Sequence, residues 1–195
     1  MKTLRIAAAL LLLIGASLTA RAAYMRAKAE LAAILIRRAW NESIKTGQPQ
    51  TPWSWADAHP VARLQIPHLH YDEIVLDAAT PRALAFGPAR LQSSAAPGEP
   101  GNLVLAGHRT SWFRRLERIR QGDKIQLDWF DPGHGSVHRK TYTVILIEVV
   151  DPKDVTLLQP TAEDALTLIT CYPFGSSPIS PQRFIVRAKP SDPAI

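Results

Sequence analysis

The chain has 195 residues, of which 46% are hydrophobic and 21% are charged, a composition typical of one folded domain with appendages rather than of a disordered chain. Its net charge of +6 lies in residues 1–45, which carry eight Lys/Arg and two Glu, whereas the other 150 residues carry 15 charges of each sign. A nucleic-acid-binding domain would concentrate basic charge on its folded part, so this distribution argues against that class of protein. A basic arm beside an apolar segment is instead typical of contact with a membrane surface.

The apolar segment runs from Ile6 to Ala20 and supports two interpretations. It has the length of the apolar core of a signal peptide, and Ala20-Arg21-Ala22 resembles a small-x-small cleavage site. Alternatively, the helix continues to Tyr24 and comes close to the roughly 20 residues that span a bilayer. Residues 1–24 are therefore predicted to be a membrane anchor or a signal segment. Both interpretations export the rest of the chain.

Residues 25–60 are predicted to form a helical arm and a linker. Helix-forming residues continue from Tyr24 to Thr46, and Gly47 with Pro49 beyond it predicts the end of the helix. Residues 47–60 are rich in Pro and Trp, and this composition predicts a linker. The folded domain is predicted to span residues 61–190.

Within that domain, short apolar runs alternate with turn residues, which predicts an all-β fold. Thr80 and Pro81 predict the start of a short helix, and Ser111 predicts the cap of a second. The segment DPGHGS, residues 131–136, predicts a hairpin turn. The predicted strands are VARLQIP (61–67), EIVL (73–76), NLVLAG (102–107), KIQLDWF (124–130), KTYTVILIEVV (140–150), TLITC (167–171) and RFIVRA (183–188).

Cys171 is the only cysteine in the chain. An exported protein lies where thiols tend to become disulfides, yet a single cysteine has no partner within its own chain. Free cysteine is also among the most buried residue types. Cys171 is therefore either an apolar filler or a nucleophile; its residue type alone favours the filler, so the neighbouring residues must decide.

Three reactive residues lie at the ends of predicted strands. His108 follows NLVLAG, Cys171 ends TLITC, and Arg183 opens RFIVRA. A nearby imidazolium or guanidinium favours the thiolate form of a cysteine, and a histidine can protonate a leaving amine and deprotonate an incoming one. An arginine can stabilise the oxyanion of a tetrahedral intermediate. Together the three residue types suffice for acyl transfer from an amide through a thioester.

Several segments resemble the signature segments of sortases, which are membrane-anchored cysteine transpeptidases with a β-barrel of about eight strands. These are LAGHRTSWF (105–113), Gly122-Asp123, TLITCYPFG (167–175) and PQRFIVRA (181–188). PWSWADAHPVARLQIP (52–67) and LAFGPARLQSSAAPGEPGNLVLAGH (84–108) further resemble the proteobacterial group called class GN sortases. The resemblance covers roughly residues 50–188.

The resemblance implies a closed β-barrel of about eight strands with short helices, preceded by a membrane helix. It also implies that Cys171 is the nucleophile, His108 the acid–base residue and Arg183 the oxyanion-binding residue, with Gly107 and Thr170 beside the substrate. The substrate would be an LPxTG-like signal near the carboxyl terminus of a secreted protein, and an amine would resolve the thioester. The implied location is the inner membrane, crossed once, with the catalytic domain on the periplasmic side.

Alternatives remain at three points. Arg187 would face the same side of its strand as Arg183 and is its rival for the oxyanion. The pairs His68/His70 and His134/His138 could suggest a metal, but neither shows the three or four ligands of a typical site, so no metal or cofactor is expected. The chain could also be a cysteine peptidase that uses water as acceptor, or a catalytically silent barrel that binds a peptide.

Overall fold

The computed structural model describes residues 2–132, 136–175 and 181–191, with side chains from Leu10 onwards. The helix α1 (Lys2–Thr46) comes first, and the short helix α2 (Pro81–Leu84) lies between the second and third strands. The described residues contain eight strands. They are β1 (Pro60–Ile66), β2 (Tyr71–Leu76), β3 (Ala89–Arg90), β4 (Asn102–Ala106), β5 (Lys124–Phe130), β6 (Val137–Val150), β7 (Ala165–Tyr172) and β8 (Gln182–Pro190).

The strands form a closed barrel in the order β1-β2-β3-β4-β7-β8-β6-β5, and β5 pairs with β1 to close it. Two neighbouring pairs are parallel, β2 with β3 and β4 with β7, whereas the other pairs are antiparallel. The predicted all-β barrel of about eight strands is confirmed.

Alternating burial along the strands explains why the apolar runs form a barrel. In β1, Ala62, Leu64 and Ile66 are fully buried, while the residues between them are partly exposed. This period of two places every second side chain in the barrel interior. Residues from seven strands share that interior, among them Leu64, Val75, Leu105, Leu127, Val144, Leu168 and Val186.

Helix α1 has two parts that differ in their contacts. Residues 10–31 are all exposed, and they belong to a stretch that is long and apolar enough to cross a membrane. Further along, Ile36 and Trp40 are buried against a second apolar cluster on the outside of the barrel, which includes Leu76 and Phe130. The helix passes residue 24 without a break and ends at Thr46, before Gly47 with its φ of +64°. The predicted anchor and arm are therefore one continuous helix.

The local predictions were mostly confirmed, with two corrections. The side chain of Thr80 accepts a hydrogen bond from the Ala83 amide and caps α2, as predicted. Ser111, however, does not begin the second helix. That helix is a short 3-10 turn, Arg114–Arg118, and the residue at its cap, Phe113, makes no side-chain capping bond. Residues 133–135 of the predicted hairpin turn lie outside the described residues.

Candidate active site

The parallel pairing of β4 with β7 brings their carboxyl ends to the same end of the barrel, which we call the Cys171 end. The opposite end is the Asn102 end. Ala106 pairs with Ile169, and the Gly107 amide donates to the Ile169 carbonyl at 3.3 Å, so the pairing continues beyond β4. Extending this register brings His108 level with Cys171, on a neighbouring chain segment about 4.8 Å away.

Cys171 and Arg183 are directly opposite each other in the antiparallel pair of β7 and β8. Cα atoms of such a pair are about 5 Å apart, and their side chains lie on the same face of the sheet. That face is the outer one, because the alternating residues Leu168 and Phe184 belong to the interior core. Both Cys171 and Arg183 are partly exposed, and the Arg183 guanidinium donates to the Gln182 carbonyl at 3.0 Å.

His108 begins the turn that follows β4. Its carbonyl accepts hydrogen bonds from the amides of Ser111, at 3.3 Å, and Phe113, at 3.0 Å, and its side chain is exposed. The turn brings the Phe113 ring against Gly107, where an added Cβ would lie only 2.9 Å from ring carbons. Glycine is therefore required at position 107 for the turn to present His108 at this place.

The hydroxyl of Thr170 links the two strands beside these residues. It donates to the Gly107 carbonyl at 2.7 Å, and Thr170 is only 3% exposed. Gly107 and Thr170 are thus buried and bonded to each other, directly before His108 and Cys171 in sequence. This geometry holds the two strand ends in register. Contact of either residue with a substrate stays a prediction.

Arg109 adds a second link, which the sequence analysis did not identify. It is 9% exposed, and its guanidinium donates to the Pro173 carbonyl at 2.6 Å. The bond joins the turn after His108 to the segment after Cys171, across 64 positions of sequence. A charged residue two positions after an apolar run was the available signal, but its burial depends on the distant partner.

Arg187 lies elsewhere on β8. It pairs with Thr167, about 13 Å along the strand from Arg183, and its guanidinium donates to the Leu157 carbonyl at 2.9 Å. The Asn102 side chain donates to the same carbonyl at 3.0 Å. The structure therefore sets Arg187 toward the Asn102 end and Arg183 beside the cysteine.

The histidines outside the site have separate surroundings. His68 contacts both carboxylate oxygens of Asp123 at 3.0 Å, and His138 stacks on Trp129 with ring centroids 5.7 Å apart. His134 lies outside the described residues. Among those described, no group of three or more His, Cys, Asp or Glu side chains could hold a metal ion.

The strand register thus places a thiol and a guanidinium, those of Cys171 and Arg183, on one solvent-facing surface, and the exposed His108 imidazole follows the neighbouring strand end level with Cys171. This set can supply a nucleophile, an acid–base group and a stabiliser of negative charge. Residues 64–191 match the family model described as the sortase domain. The chain belongs to the sortase family. The recognition from the signature segments is confirmed at the level of the family, and the class GN assignment stays a prediction.

Known sortases resemble the chain over most of the barrel. Sortase D of Bacillus subtilis is 30% identical over 127 residues, which are 65% of this chain and 61% of that protein. The structure of sortase A from Corynebacterium diphtheriae is 28% identical, with a TM-score of 0.62 over 72% of this chain and 64% of that one. A sortase D5 transpeptidase from Clostridium perfringens shares the fold, with a TM-score of 0.64, 20% identity, and coverage of 81% of this chain and 99% of that one. The match thus spans about three fifths of the length of the Bacillus relative.

Proposed function

We propose that this sortase is a transpeptidase that cleaves an LPxTG-like sorting signal of a secreted protein and transfers the acyl group to an amine. The observation that carries the proposal is the register of three neighbouring strand segments, in which Cys171 lies between His108 on one side and Arg183 on the other. Membership of the sortase family supports the same chemistry.

In the first half-reaction, the Cys171 thiolate attacks the carbonyl carbon of the threonine in the signal. The tetrahedral intermediate carries its negative charge on the former carbonyl oxygen, which the Arg183 guanidinium stabilises. The C–N bond to the next residue then breaks, and the His108 imidazolium gives a proton to the leaving amine. The threonine is left bound to Cys171 as a thioester.

In the second half-reaction, an amine attacks the thioester carbon. His108, now neutral, takes the proton that the amine loses, while Arg183 again stabilises the oxyanion. The new C–N bond forms, the C–S bond breaks, and Cys171 leaves as a thiolate beside a protonated histidine. The enzyme thus returns to its starting state with no net gain or loss of protons.

Gly107, Arg109 and Thr170 act in this proposal by positioning. The hydrogen bond from Thr170 to the Gly107 carbonyl and the one from Arg109 to the Pro173 carbonyl both join the segment around Cys171 to the segment around His108. A nucleophile and an acid–base group must keep a distance within hydrogen-bond reach during the reaction, and small misplacements are costly. The substrate would lie across the outer face of β7, between these segments.

The proposal also includes the location of the enzyme. The exposed part of α1 fits a single membrane anchor, and we propose that it crosses the inner membrane and leaves the barrel on the periplasmic side. The partners are then a secreted protein with a sorting signal, an amine acceptor, and the lipid around α1. Residues 46–195 carry 15 acidic and 15 basic residues, which gives no support for a nucleic-acid partner.

Mass spectrometry of the full-length protein tests the function. The protein is incubated with an LPxTG-containing peptide, with and without an added amine such as a short glycine peptide. We expect a thioester adduct on the protein, with the mass of the acyl fragment, and a product in which that fragment is joined to the amine.

Other results would assign a different function. Cleavage that yields only the free acid, whatever amine is supplied, would indicate a cysteine peptidase. Peptide binding without any adduct or cleavage would indicate a silent binding barrel. Either result would overturn the transpeptidase proposal.

A further inference from the structure

An apolar groove of about 800 Å³ lies between α1 and the segments that precede β3. Leu31 and Leu35 of α1 line one side, and Trp53 and Phe86 line the other. Trp55 also lines the groove and is 82% exposed. A groove that combines an exposed tryptophan with leucines is typical of an interaction site rather than of ordinary protein surface.

The groove begins close to the end of the apolar part of α1. The proposed anchor from Ile6 to Tyr24, whose single charged residue is Arg21 near its end, is about 28 Å long at 1.5 Å per residue, close to the thickness of roughly 30 Å of a bilayer's hydrocarbon core. Lys28, the first residue of α1 that lines the groove, follows about 6 Å further along the same helix. The polar headgroup layer on each side of a bilayer is roughly 5–8 Å thick. If Ile6–Tyr24 spans the hydrocarbon core, as in the proposed anchor, the continuous helix sets the groove at the level of the lipid headgroups.

The charges and aromatic residues around the groove match that environment. Lys28 and Arg82 line it and are both exposed, whereas the acidic residue on its lining is Asp57. Tyr24, 65% exposed, lies just before it on α1. Tyrosine and tryptophan are enriched where a membrane meets water, and basic side chains near the surface attract lipid phosphates.

We propose that this groove binds a phospholipid of the membrane that α1 crosses. Lys28 and Arg82 contact the phosphate, and Trp53, Trp55 and Leu31 contact the glycerol and the first acyl carbons. The inference rests on the membrane anchoring in the proposed function but not on the transpeptidase chemistry.

Such docking would fix the height of the active site above the bilayer. Arg82 lies in α2, which follows the carboxyl end of β2, and β3 connects that end with Ala106 at the Cys171 end. The Trp112 indole also donates to the Leu84 carbonyl of α2 at 3.0 Å, which ties the turn after His108 to the groove wall. A groove seated on lipid therefore orients the Cys171 end relative to the membrane surface.

A spin label reports the depth of the groove in a bilayer. In the full-length Cys171→Ala protein, no other cysteine interferes, so Ser54→Cys places one label next to Trp55 and Val155→Cys places a control label near the Asn102 end. Both native residues are exposed. The protein is reconstituted in vesicles of phosphatidylcholine with phosphatidylglycerol. The measurement is the ratio of collisions with oxygen, which concentrates in lipid, to collisions with a water-soluble nickel complex.

We expect this ratio to be several-fold higher at position 54 than at position 155, and to fall toward the control value when Lys28→Glu and Arg82→Glu are combined. Equal ratios at the two positions would overturn the proposal. A high ratio that survives the charge reversal would also overturn the proposal, because the label would then lie near the bilayer without binding of lipid through Lys28 and Arg82. A ratio that depends on protein density or on added peptide would overturn it too, and would assign the groove to a second copy of the chain or to a peptide. The readout needs no turnover, so its failure is distinct from failure of the transpeptidase proposal.

Discussion

The two ends of β4 and β7 carry similar polar residues, but these are hydrogen-bonded within the protein at one end and face solvent at the other. At the Asn102 end, the Thr167 hydroxyl donates to the Asn102 side chain at 2.7 Å, and Asn102 and Arg187 both donate to the Leu157 carbonyl. At the Cys171 end, the exposed His108 and the partly exposed Cys171 and Arg183 reach the solvent-facing surface. The same two strands thus end in a closed polar network on one side and in a reactive surface on the other.

In the proposed function, this difference is what the barrel contributes to catalysis. Buried polar groups are costly unless they are hydrogen-bonded, and the Asn102 end satisfies them within the protein, which makes that end rigid. At the Cys171 end, the supporting bonds come from the buried side chains of Thr170 and Arg109. The reactive groups themselves are left facing outward, where a substrate can reach them. Substitutions at the Asn102 end should therefore affect stability but not turnover, whereas substitutions at the Cys171 end should affect turnover.

Cys171→Ala is expected to have the largest effect, because it removes the proposed nucleophile. Peptide cleavage should be abolished, while the free energy of unfolding should change by much less than the roughly 2–5 kcal/mol of a large core truncation, since the site is partly exposed. Turnover of the sorting peptide and urea unfolding of the same sample measure the two effects. Cleavage retained by this variant would contradict the proposed role of Cys171.

Arg183 and Arg187 provide a matched pair on one strand. A side chain that binds the oxyanion acts mainly in the transition state, so Arg183→Lys should lower kcat by roughly 100- to 1000-fold with a smaller change in KM. Lysine keeps the charge but loses the planar fork of donors. Arg187→Lys should leave kcat nearly unchanged, because Arg187 lies level with Thr167 and bonds the Leu157 carbonyl.

The two arginine variants are compared by steady-state kinetics with the same peptide. If Arg187→Lys is the impaired variant and Arg183→Lys is not, the oxyanion is not bound by Arg183, the residue opposite Cys171. Turnover would then depend on the Asn102 end of the barrel rather than on the Cys171 end.

Thr170 and Thr167 form a second pair, with a smaller expected effect on turnover. Both are buried in β7, and each donates a hydrogen bond of 2.7 Å to a residue at one end of β4. Replacement of either by valine leaves an acceptor unpaired, which costs about 1–3 kcal/mol of stability. Thr170→Val should also lower kcat by about tenfold, within the range that small misplacements of catalytic groups produce. Thr167→Val should keep normal kcat. An equal loss of kcat in both variants would contradict the different roles of the two barrel ends.

The sequence predicted the strands that carry the reactive residues, because their apolar runs have a clear period and end in His108, Cys171 and Arg183. It did not predict β3, whose two residues pair with Leu76 and Leu105 and have no pattern of their own. The bond from Arg109 to the Pro173 carbonyl was missed for the same physical reason, since contacts between distant segments follow from the closed barrel and not from local spacing. The 3-10 turn after Ser111 likewise reflects the hydrogen bonds at the His108 carbonyl.

The smallest expected effect is on stability at acidic pH, and it involves residues at the Asn102 end. The Asp164 carboxylate accepts hydrogen bonds from the Lys140 ammonium group and, at 3.2 Å, from the Gly101 amide that precedes β4. The Lys140 bond is the main cause that holds the pKa of Asp164 below its ordinary value of 3.8, although partial burial opposes it. A carboxylate with a lowered pKa in the folded state contributes stability that is fully present above the ordinary value. That contribution is lost as the pH falls through the lower, folded-state pKa.

The free energy of unfolding should therefore differ less between pH 6 and pH 3 in Asp164→Asn than in the wild type. The expected reduction is about 0.2–1 kcal/mol, because the Lys140–Asp164 pair is partly exposed. Urea unfolding of the wild type, of Asp164→Asn, of Lys140→Gln and of the double variant measures the difference. Lys140→Gln should weaken the same acid dependence, and the double variant should add little to either single change, because both act on one hydrogen bond. Turnover at neutral pH should remain normal in all three variants, since the pair lies at the end of the barrel away from Cys171. Additive losses in the double variant would show that the two residues act independently, and a loss of turnover would show that the two ends are coupled.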